Sequence, residues 1–361
     1  MPRTPPPVPP HPPRDKSACP SPGPPRHPWR RPCTTPVPPP SASATTAART
    51  PGPRRCAEMP RAQSPVSVVI PTHSEHRLPR LVRVVQAVRE QSPPPAEIIV
   101  VVDHNPHLHR LVRRELPDVT VLDNRLPRGV SGNRNTGARH AVTPVVVFLD
   151  DDVIAQPGWL AGLCEPLADP AVVGTGGGIA PDWETLRPTW LPDEFLWTVG
   201  VSRTGPSTGT VRVRNVWSAS MAVRRDAFEA VQGFRTDFGK VGDRARPEDT
   251  EFCLRLTRHA GGHWVHVSDA VVVHPVPAER ATLRAFLHRC VAEGRGKVAM
   301  ARLLDGGAFG GRDHSGPSLD AERGYLLRTL PRAVLRGLAG SLGGRGAQPA
   351  LRAGAVLLGA T

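Results

Sequence analysis

The sequence predicts an α/β fold in which a mainly parallel central sheet is flanked by helices. Three apolar runs rich in β-branched residues, Val66–Ile70, Ile98–Val102 and Val145–Leu149, have the length and composition of strands buried on both faces. Helical patterns separate these runs, and strands that alternate with helices imply right-handed crossovers between parallel strands. Two of the strands run into acids, Asp103 and Asp150, which parallel strands would place at one edge of the sheet, where open α/β sheets bind ligands.

The remaining elements follow from apolar periodicity in chain order. Strands are predicted over 66–71, 98–102, 119–122, 145–149, 172–179, 213–223, 263–267 and 270–273. Helices are predicted over 78–91, 108–116, 158–167, 225–231, 247–256 and 278–304, and a further helix follows the loop 127–135 and ends at His140. The segment 181–210 holds three tryptophans among prolines. It is either a loop over a binding cleft or a surface loop that covers a hydrophobic patch.

The N-terminal sixth of the chain differs in composition from the rest. The 361 residues carry a net charge of +14 and 44 prolines, and residues 1–60 alone hold 21 of the prolines and nine of the Lys and Arg residues. Such a segment cannot form a packed core, so we expect residues 1–63 to be a disordered tail. Residues 64–280 would form the folded domain and 281–361 a helical C-terminal extension. The arginines of the tail are dispersed and accompanied by one aromatic residue, so we expect no nucleic-acid partner.

Cysteine use and hydropathy indicate the compartment. The six cysteines show no metal-ligand spacing, and we find neither the apolar core of a secretory signal nor an apolar run of the roughly 18–20 residues that span a bilayer. We therefore expect a cytoplasmic protein. Residues 323–361 alternate leucine, valine and alanine with arginine, a pattern typical of segments that lie on an anionic membrane surface. Such contact would place the protein at the inner face of the cell membrane, which is a second possible location. The alternative is a pair of helices packed on the domain.

Three consecutive acids, Asp150, Asp151 and Asp152, end the strand that starts at Val145. Unpaired carboxylates are costly to bury, so we expect this acidic triplet at the carboxyl end of a central strand. Side chains two residues apart in an extended segment point the same way, so Asp150 and Asp152 can share one divalent cation. Hard oxygen ligands suit Mg²⁺ or Mn²⁺, which commonly bridge to a substrate phosphate. The alternative is a solvated acidic turn.

Two further polar positions are candidates for the same edge of the sheet. His274 follows an apolar strand and would be a third metal ligand if that strand lies beside the acidic triplet, although a histidine in this position is usually structural. Glu248 and Asp249, the acidic pair, follow Pro247, which suits a first helical position. Acids in a first turn favour the helix dipole, so helix capping is the alternative to a catalytic role.

Seven sequence blocks follow one another over roughly residues 64–275. They are VSVVIPTH, IIVVVD, GVSGNRNTGA, VVVFLDDDV, GF, PEDTEFCLRL and VVVH. Taken in this order, they resemble the family-two glycosyltransferases of the GT-A fold. The order of the blocks is far more specific than any one block. The resemblance implies a Rossmann-like sheet and an inverting enzyme that moves a sugar from a nucleotide diphosphate sugar to a hydroxyl group.

The resemblance also implies roles for particular residues. The nucleotide-sugar donor would be bound by Pro71, Thr72, Ser74, Glu75, Asp103, Arg134, Asp150 and Asp151. Asp150 and Asp152 match the DxD motif that holds Mg²⁺ or Mn²⁺ on the donor diphosphate, and His274 matches a metal ligand found in part of the family. Asp249 matches the expected general base, with Glu248 beside it.

The implied reaction is metal-dependent transfer of a hexosyl group, with a UDP-sugar as the expected donor and a glycan or polyprenyl-linked hydroxyl as the acceptor, as in polysaccharide synthesis for the cell envelope. One alternative is a haloacid-dehalogenase-type phosphatase, because FLDDDV also fits a strand followed by an aspartyl nucleophile, Asp150. Three strands precede the motif, however, and Lys240 is a poor match for the lysine that such phosphatases need. The other alternative is a non-catalytic nucleotide-sugar-binding protein, against which the intact acidic triplet and acidic pair argue.

Overall fold

One mixed sheet and the helices on its two faces make up most of the described chain. The computed structural model describes residues 64–202, 209–239, 246–305, 324–342, 351–352 and 354–356. The predicted tail, residues 1–63, lies outside this description. Contacts divide the chain after Glu58, and all that follows concerns the unit Met59–Thr361.

The strands lie close to where apolar periodicity predicts them. They are β1 (Ser64–Thr72), β2 (Pro95–Val102), β3 (Thr120–Asp123), β4 (Val145–Leu149), β5 (Ile154–Ala155), β6 (Val172–Trp183), β7 (Thr210–Val213), β8 (Ser220–Arg224) and β9 (His263–Val276). The helices are α1 (Leu78–Arg89), α2 (Pro106–Glu115), α3 (Val130–His140), α4 (Trp159–Cys164), α5 (Arg225–Ala230), α6 (Glu248–Ala260), α7 (Leu283–Asp305) and α8 (Leu330–Leu342). Short 3₁₀ turns cover Glu75–Arg77 and Asp193–Val199, and a π-helical turn covers Tyr325–Thr329.

The order of the strands within the described sheet is β3-β2-β1-β4-β8-β6-β9-β5, and β7 pairs with β9. From β3 to β4 all neighbours are parallel, as the alternation of strands and helices predicts. In the other half β8 runs antiparallel to β4 and β6, whereas β6 and β9 are parallel. The predicted Rossmann-like α/β architecture is confirmed for the first half, and the second half continues the same sheet.

The central strands are apolar on both faces because each face is covered. Val68 belongs to a core shared with α1, α2 and α4, whereas the next residue, Val69, belongs to a core shared with α3, α5 and α6. In the second core the rings of Phe148 and Phe234 lie 5.4 Å apart, and those of Phe234 and Phe252 lie 4.3 Å apart. This aromatic packing joins β4 to α6, the two elements that carry the acidic motifs.

The second half departs from the sequence prediction in several places, and β5 was not predicted. The strand predicted over 213–223 is two strands, β7 and β8, with a turn between them. The strands predicted over 263–267 and 270–273 are one strand, β9, whose pairing with β6 shifts register at Gly177 and Gly178. A side chain at Gly178 would meet the carbonyl oxygen of Ser268 at 2.8 Å, so glycine there lets β9 continue through the irregularity. The predicted loop 181–210 contains the 3₁₀ turn Asp193–Val199.

The C-terminal extension packs against this 3₁₀ turn. Phe195 and Phe286 form an edge-to-face pair 5.2 Å apart, and Leu330 and Val356 are buried in the same apolar cluster. The alternative of helices packed on the domain is therefore correct for these residues. Other leucines of the extension are exposed and are considered below.

Candidate active site

The carboxyl ends of β1, β2 and β4 meet at one edge of the sheet. Asp103, directly after β2, donates its backbone N–H to the carbonyl oxygen of Thr72 at 2.9 Å. The Thr72 hydroxyl donates to Oδ2 of Asp151 at 2.6 Å. Hydrogen bonds therefore join the ends of three neighbouring strands, which is where the sequence predicts the donor site.

The Asp103 carboxylate supports the loop that leads into α3. Its Oδ1 accepts from Nδ2 of Asn124 at 2.8 Å and lies 2.8 Å from Nδ1 of His104, and its Oδ2 accepts from the backbone N–H of Gly129 at 3.0 Å. Gly129 has a φ of 130°, which glycine adopts without steric cost. Asp103, which is predicted to contact the nucleotide-sugar donor, is therefore held by three partners.

Helix α3 carries Arg134 into the site because the asparagines on either side of it are anchored. Asn133 donates its Nδ2 to the carbonyl oxygen of Thr72 at 3.3 Å. Asn135 donates its Nδ2 to the carbonyl oxygen of Phe234 at 2.7 Å and accepts the Phe234 backbone N–H at 2.8 Å. The Arg134 guanidinium lies 5.6 Å from the centroid of the Phe234 ring, within the range of a cation–π contact.

The guanidinium of Arg134 faces carboxylates from two motifs. Its Nη2 donates to Oδ1 of Asp150 at 2.8 Å, and its Nη1 lies 3.6 Å from Oε1 of Glu248 and 4.0 Å from Oδ1 of Asp249. Only 3% of the Arg134 side chain is exposed. Burial alone would lower its pKa, but the three carboxylates raise it, so the group remains charged. Arg134 therefore links the acidic triplet to the acidic pair.

The acidic pair is mostly buried at the start of α6. Burial raises the pKa of Glu248 to about 8, and the neighbouring charge of Asp249 adds to the rise. Burial also raises the pKa of Asp249, opposed by Arg134 and by a hydrogen bond from Ser218. Within the described chain, Oδ1 of Asp249 has no hydrogen-bond partner. This oxygen is buried, and a carboxylate with a raised pKa and an unpartnered oxygen is suited to accept a proton from a hydroxyl that reaches it.

The raised pKa of Glu248 gives a prediction about stability. The pKa of Glu248 is 4.5 in the unfolded chain and about 8 in the folded protein. Between these two pH values the folded protein binds more protons than the unfolded chain, so the free energy of unfolding falls as pH rises. Glu248→Gln removes this penalty and should raise the free energy of unfolding at pH 8.5 by about 1 kcal/mol or more. Below pH 4.5 the two proteins should differ little.

Thermal and urea unfolding of both proteins between pH 4 and 9 measures this difference. Glu229→Gln is the control, because Glu229 is half exposed and pairs with Arg225 on the surface of α5. Its pH profile should follow that of the wild type. A Glu248→Gln protein whose stability advantage shrinks as pH rises would contradict the assignment.

Asp151 and Asp152 share one cation, Arg77, at the end of the 3₁₀ turn after β1. Arg77 contacts Oδ1 of Asp151 and lies 3.1 Å from Oδ2 of Asp152. Burial raises the pKa of Asp151, and Arg77 and the Thr72 hydroxyl oppose that rise. Asp151 is therefore buried and connects the end of β4 to Thr72 and Arg77. Asp152, in contrast, lines an open cavity.

That cavity has a volume of about 430 Å³ and a strongly basic wall. Arg77, Arg80 and Arg83 come from the turn before α1 and from α1 itself, and Arg280 comes from the segment after β9. Asp152 is the one acid among the residues that line it. Such a wall suits a ligand with several negative charges.

His274 lies near the acidic triplet, as the sequence analysis requires of a metal ligand. Burial lowers its pKa, and the charges of Asp152 and Asp150 oppose that change. Its Nδ1 is buried and has no hydrogen-bond partner among the described residues, and its Nε2 lies 3.4 Å from Nη1 of Arg280. A neutral imidazole with an unused nitrogen is a suitable ligand for a divalent cation.

The three predicted metal ligands reach the same edge of the sheet, but they are not gathered around one point. In the part of the chain that the structure describes, no three His, Cys, Asp or Glu side chains lie close enough together to hold a metal ion. Asp150 faces Arg134 and Asp152 faces Arg77, so both carboxylates would have to turn. Two carboxylates and a neutral imidazole nevertheless suit Mg²⁺ or Mn²⁺ chemically, and the metal site stays a prediction.

Three other predicted donor contacts lie at the end of β1. Pro71 is buried within the strand, and the Ser74 carbonyl oxygen accepts the Arg77 backbone N–H at 3.0 Å. Glu75 is exposed, and its Oε1 lies 3.0 Å from Nδ1 of His107 on α2. Their roles in donor binding stay predictions.

Sequence reasoning missed four residues that the structure places in the site. They are Arg77, Ser218, Phe234 and Arg280. Phe234 has a signal in the sequence, since it belongs to the GF block, but its contact with Arg134 depends on tertiary packing. The two arginines lie among many others in the sequence, and nothing there distinguishes them.

The sequence also matches a known protein family and proteins of known activity. The family model described as glycosyl transferase family 2 matches residues 67–232. The chain is 30% identical over 243 residues to the glucosyl-dolichyl phosphate glucuronosyltransferase of Haloferax volcanii, a match that covers 66% of this chain and 78% of that protein. It is 29% identical over 173 residues to the pre-mycofactocin glycosyltransferase of Mycobacterium tuberculosis, covering 48% of this chain and only 35% of that protein.

A solved structure supports the fold. The mannosyltransferase PcManGT from Pyrobaculum calidifontis, in complex with GDP-Man and Mn²⁺, superposes with a TM-score of 0.52 at 21% identity and covers 83% of this chain and 87% of that chain. The resemblance stated from the seven sequence blocks is therefore confirmed. The chain belongs to glycosyltransferase family 2 and is a glycosyltransferase of the GT-A fold.

Proposed function

We propose that this glycosyltransferase moves a sugar from a nucleotide diphosphate sugar to an acceptor hydroxyl, with inversion and with the aid of Mg²⁺ or Mn²⁺. One observation carries the proposal: Arg134 contacts both the acidic triplet through Asp150 and the acidic pair through Glu248 and Asp249. The groups proposed to bind the donor diphosphate and the group proposed to accept a proton would then lie on either side of one guanidinium.

The donor would lie across the carboxyl ends of β1, β2 and β4. Thr72 and Asp103 would contact the nucleoside, with Arg134 near the base or the diphosphate. The diphosphate would face the basic cavity beside Asp152, where Arg77 and its neighbours supply positive charge. Charge-assisted hydrogen bonds from guanidinium groups would stabilise the negative charge that develops on the leaving diphosphate.

A divalent cation would be held by Asp150, Asp152 and His274, and it would neutralise charge on the diphosphate. The unused Nδ1 of His274 and its proximity to both carboxylates support this set. Arg77 would then pair with Asp151, with which it is already in contact. The choice between Mg²⁺ and Mn²⁺ is left to measurement.

Asp249 would accept the proton of the acceptor hydroxyl as that oxygen attacks the anomeric carbon. The bond from the anomeric carbon to the diphosphate oxygen breaks, and its electron pair leaves with the diphosphate. Attack from the face opposite the leaving group inverts the anomeric configuration. Glu248, whose pKa is about 8, would keep its proton at neutral pH and could donate a hydrogen bond to the acceptor.

The acceptor is proposed to be a glycan or a lipid-linked sugar. The relative from Haloferax volcanii acts, by its name, on glucosyl-dolichyl phosphate. Leu326, Leu327 and Leu335 of the C-terminal extension are exposed, Leu327 by 74%, and alternate with Arg328 and Arg332. No described helix combines the length and apolar character that a membrane crossing needs. We therefore propose peripheral contact with an anionic membrane surface through this segment.

Membrane contact makes a direct prediction. Leu327→Glu together with Leu335→Glu should abolish cosedimentation with vesicles that contain anionic lipid, because both changes replace exposed apolar surface with charge of the repelling sign. Leu186→Glu is the matched control, since Leu186 is 93% exposed but lies outside the segment. Equal binding of all three proteins, or wild-type binding to neutral vesicles alone, would rule out the proposed mode.

The phosphatase alternative is not favoured, because the chain belongs to a glycosyltransferase family. Lys240, the candidate for the lysine of such a phosphatase, lies outside the described residues. A purely binding role would leave the acidic pair without a function, and release of nucleoside diphosphate from a nucleotide sugar would exclude it.

Thermal unfolding with a panel of nucleotide sugars tests donor binding. A ligand present at 100 times its dissociation constant stabilises the folded state by about 2.7 kcal/mol. We expect one donor, with UDP-sugars tested first, to raise the melting temperature only when Mg²⁺ or Mn²⁺ is present. No stabilisation by any nucleotide sugar with either ion would overturn the proposal.

A further inference from the structure

A second open cavity, of about 310 Å³, has an aromatic wall instead of a basic one. Three aromatic side chains, Trp197, Trp217 and Tyr325, line it together with four polar residues, Asp193, Glu194, Ser202 and Thr329. Its volume is at the small end of the range for ligand sites, where aromatic faces combined with polar groups are typical. Nothing in the donor or metal chemistry described above uses these residues.

Hydrogen bonds and ring packing fix the aromatic wall. Trp197 donates its Nε1 to the Tyr325 hydroxyl oxygen at 3.3 Å, and that hydroxyl donates to the Glu194 carbonyl oxygen at 2.8 Å. Phe195 packs behind both rings, with centroids 5.9 Å from Trp197 and 6.1 Å from Tyr325. Burial raises the pKa of Tyr325 to about 12, so its hydroxyl stays neutral. The wall is thus formed before any ligand arrives.

The charged groups at this cavity differ from those beside Asp152. Asp193 lies 2.5 Å from Nη2 of Arg187, and Glu194 contacts Arg336. Each carboxylate is balanced by its own arginine, so these four charges favour neither a cationic nor an anionic ligand. Flat aromatic faces with hydrogen-bonding groups at their edges suit a neutral ligand that has apolar faces and a rim of hydroxyls, as a pyranose ring has.

Two chain segments connect this cavity to the candidate active site. Trp217 immediately precedes Ser218, which hydrogen-bonds to Asp249. Trp197 lies in the 3₁₀ turn that ends before Gly200, and a side chain at Gly200 would meet the His274 imidazole at 2.9 Å. Segments that border the cavity therefore touch both the candidate base and a candidate metal ligand.

We propose that this cavity binds a pyranose ring of a saccharide acceptor, with one wall supplied by Tyr325 of the C-terminal extension. The inference rests on the proposed function, because it places the sugar that receives the transferred group. It assigns acceptor recognition to Trp197, Trp217 and Tyr325, and it separates that recognition from donor binding at the basic cavity.

The test uses the full-length protein and octyl glycosides of glucose, galactose and mannose. Octyl phosphate, which has the octyl group but no sugar ring, is the control probe. Saturation-transfer NMR reports which protons of each probe contact the protein. We expect the strongest transfer to ring protons of at least one glycoside. Trp197→Ala and Thr329→Trp should each weaken its binding about tenfold or more. Thr329 lines the cavity, so tryptophan there would fill it without removing a packed ring.

Donor hydrolysis without an acceptor separates this inference from the proposed function. Both variants, and the exposed control Leu186→Ala, should release nucleoside diphosphate within about twofold of the wild type, because the donor lies elsewhere. If the wild type itself releases no nucleoside diphosphate, the proposed function is refuted instead. The acceptor assignment is overturned if no glycoside binds, if Thr329→Trp binds like the wild type, or if octyl phosphate binds equally well and is lost in the same variants.

Discussion

Asp249→Asn is expected to lower turnover by about 10²–10⁴-fold, the usual contribution of a positioned general base. The substitution keeps the shape of the side chain and removes the charge that we propose accepts the proton. Donor affinity should change little, because Arg134 keeps its 2.8 Å hydrogen bond to Asp150. The expected signature is therefore a fall in turnover at an unchanged donor dissociation constant.

Glu248→Gln is the matched comparison for this result. Glu248 and Asp249 are adjacent on α6, so their side chains point about 100° apart and one of them faces the acceptor more directly. Because the pKa of Glu248 is about 8, it is mostly protonated at neutral pH, and glutamine resembles that form. Its turnover should fall less than that of Asp249→Asn. Near-normal turnover in Asp249→Asn, or a severe loss confined to Glu248→Gln, would move the base to Glu248.

Asp152→Ala is expected to abolish metal-dependent binding of the nucleotide sugar while the fold survives. Asp152 lines the basic cavity, and its only ion-pair partner among the described residues is Arg77. When Asp152 is removed, Arg77 still pairs with the buried carboxylate of Asp151. His274→Ala should weaken metal affinity less, since one ligand of three is lost and both acids remain. Titration of Mn²⁺ in the presence of donor, followed by calorimetry, measures both effects.

The control for this prediction is Asp123→Ala. Asp123 also ends a strand of the parallel half, but it pairs with His109 on α2 and lies beyond Asp103 in the sheet. Its donor and metal binding should match the wild type. Undiminished donor binding by Asp152→Ala, or full activity of the wild type in EDTA, would show that the cation does not act through the acidic triplet.

The parallel half of the fold was predictable because each of its strands is a short apolar run that a helical pattern follows. The meeting of Asp103 and Asp150 at one edge followed from parallel strands alone. The contact between Arg134 and the acidic pair did not, because it depends on Asn135 bonding to Phe234 and on Phe234 packing against Phe252. Such contacts join distant parts of the chain and leave no periodic signal.

Arginines were the hardest site residues to anticipate. Arg77 contacts Asp151 and Asp152 only because the turn after β1 brings its side chain back over the strand ends. The tryptophans of 181–210 left two alternatives open, a loop over a binding cleft or a loop that covers a hydrophobic patch. Trp183, Trp190 and Trp197 all pack against the apolar cluster of Phe195, and of the three only Trp197 also lines the aromatic cavity. Its completion by Tyr325 requires the C-terminal extension to pack on that segment, which composition alone left open.

The central claim is that this chain breaks the bond between a sugar and a nucleoside diphosphate by cation-assisted displacement with inversion. The most direct measurement is proton NMR of the purified protein with a UDP-α-sugar, no acceptor, and either the diamagnetic ion Mg²⁺ or EDTA. The account predicts slow release of UDP with the β-anomer of the free sugar appearing first, in Mg²⁺ only, and loss of that release in Asp249→Asn. Initial appearance of the α-anomer, or release that continues at the same rate in EDTA, would contradict it.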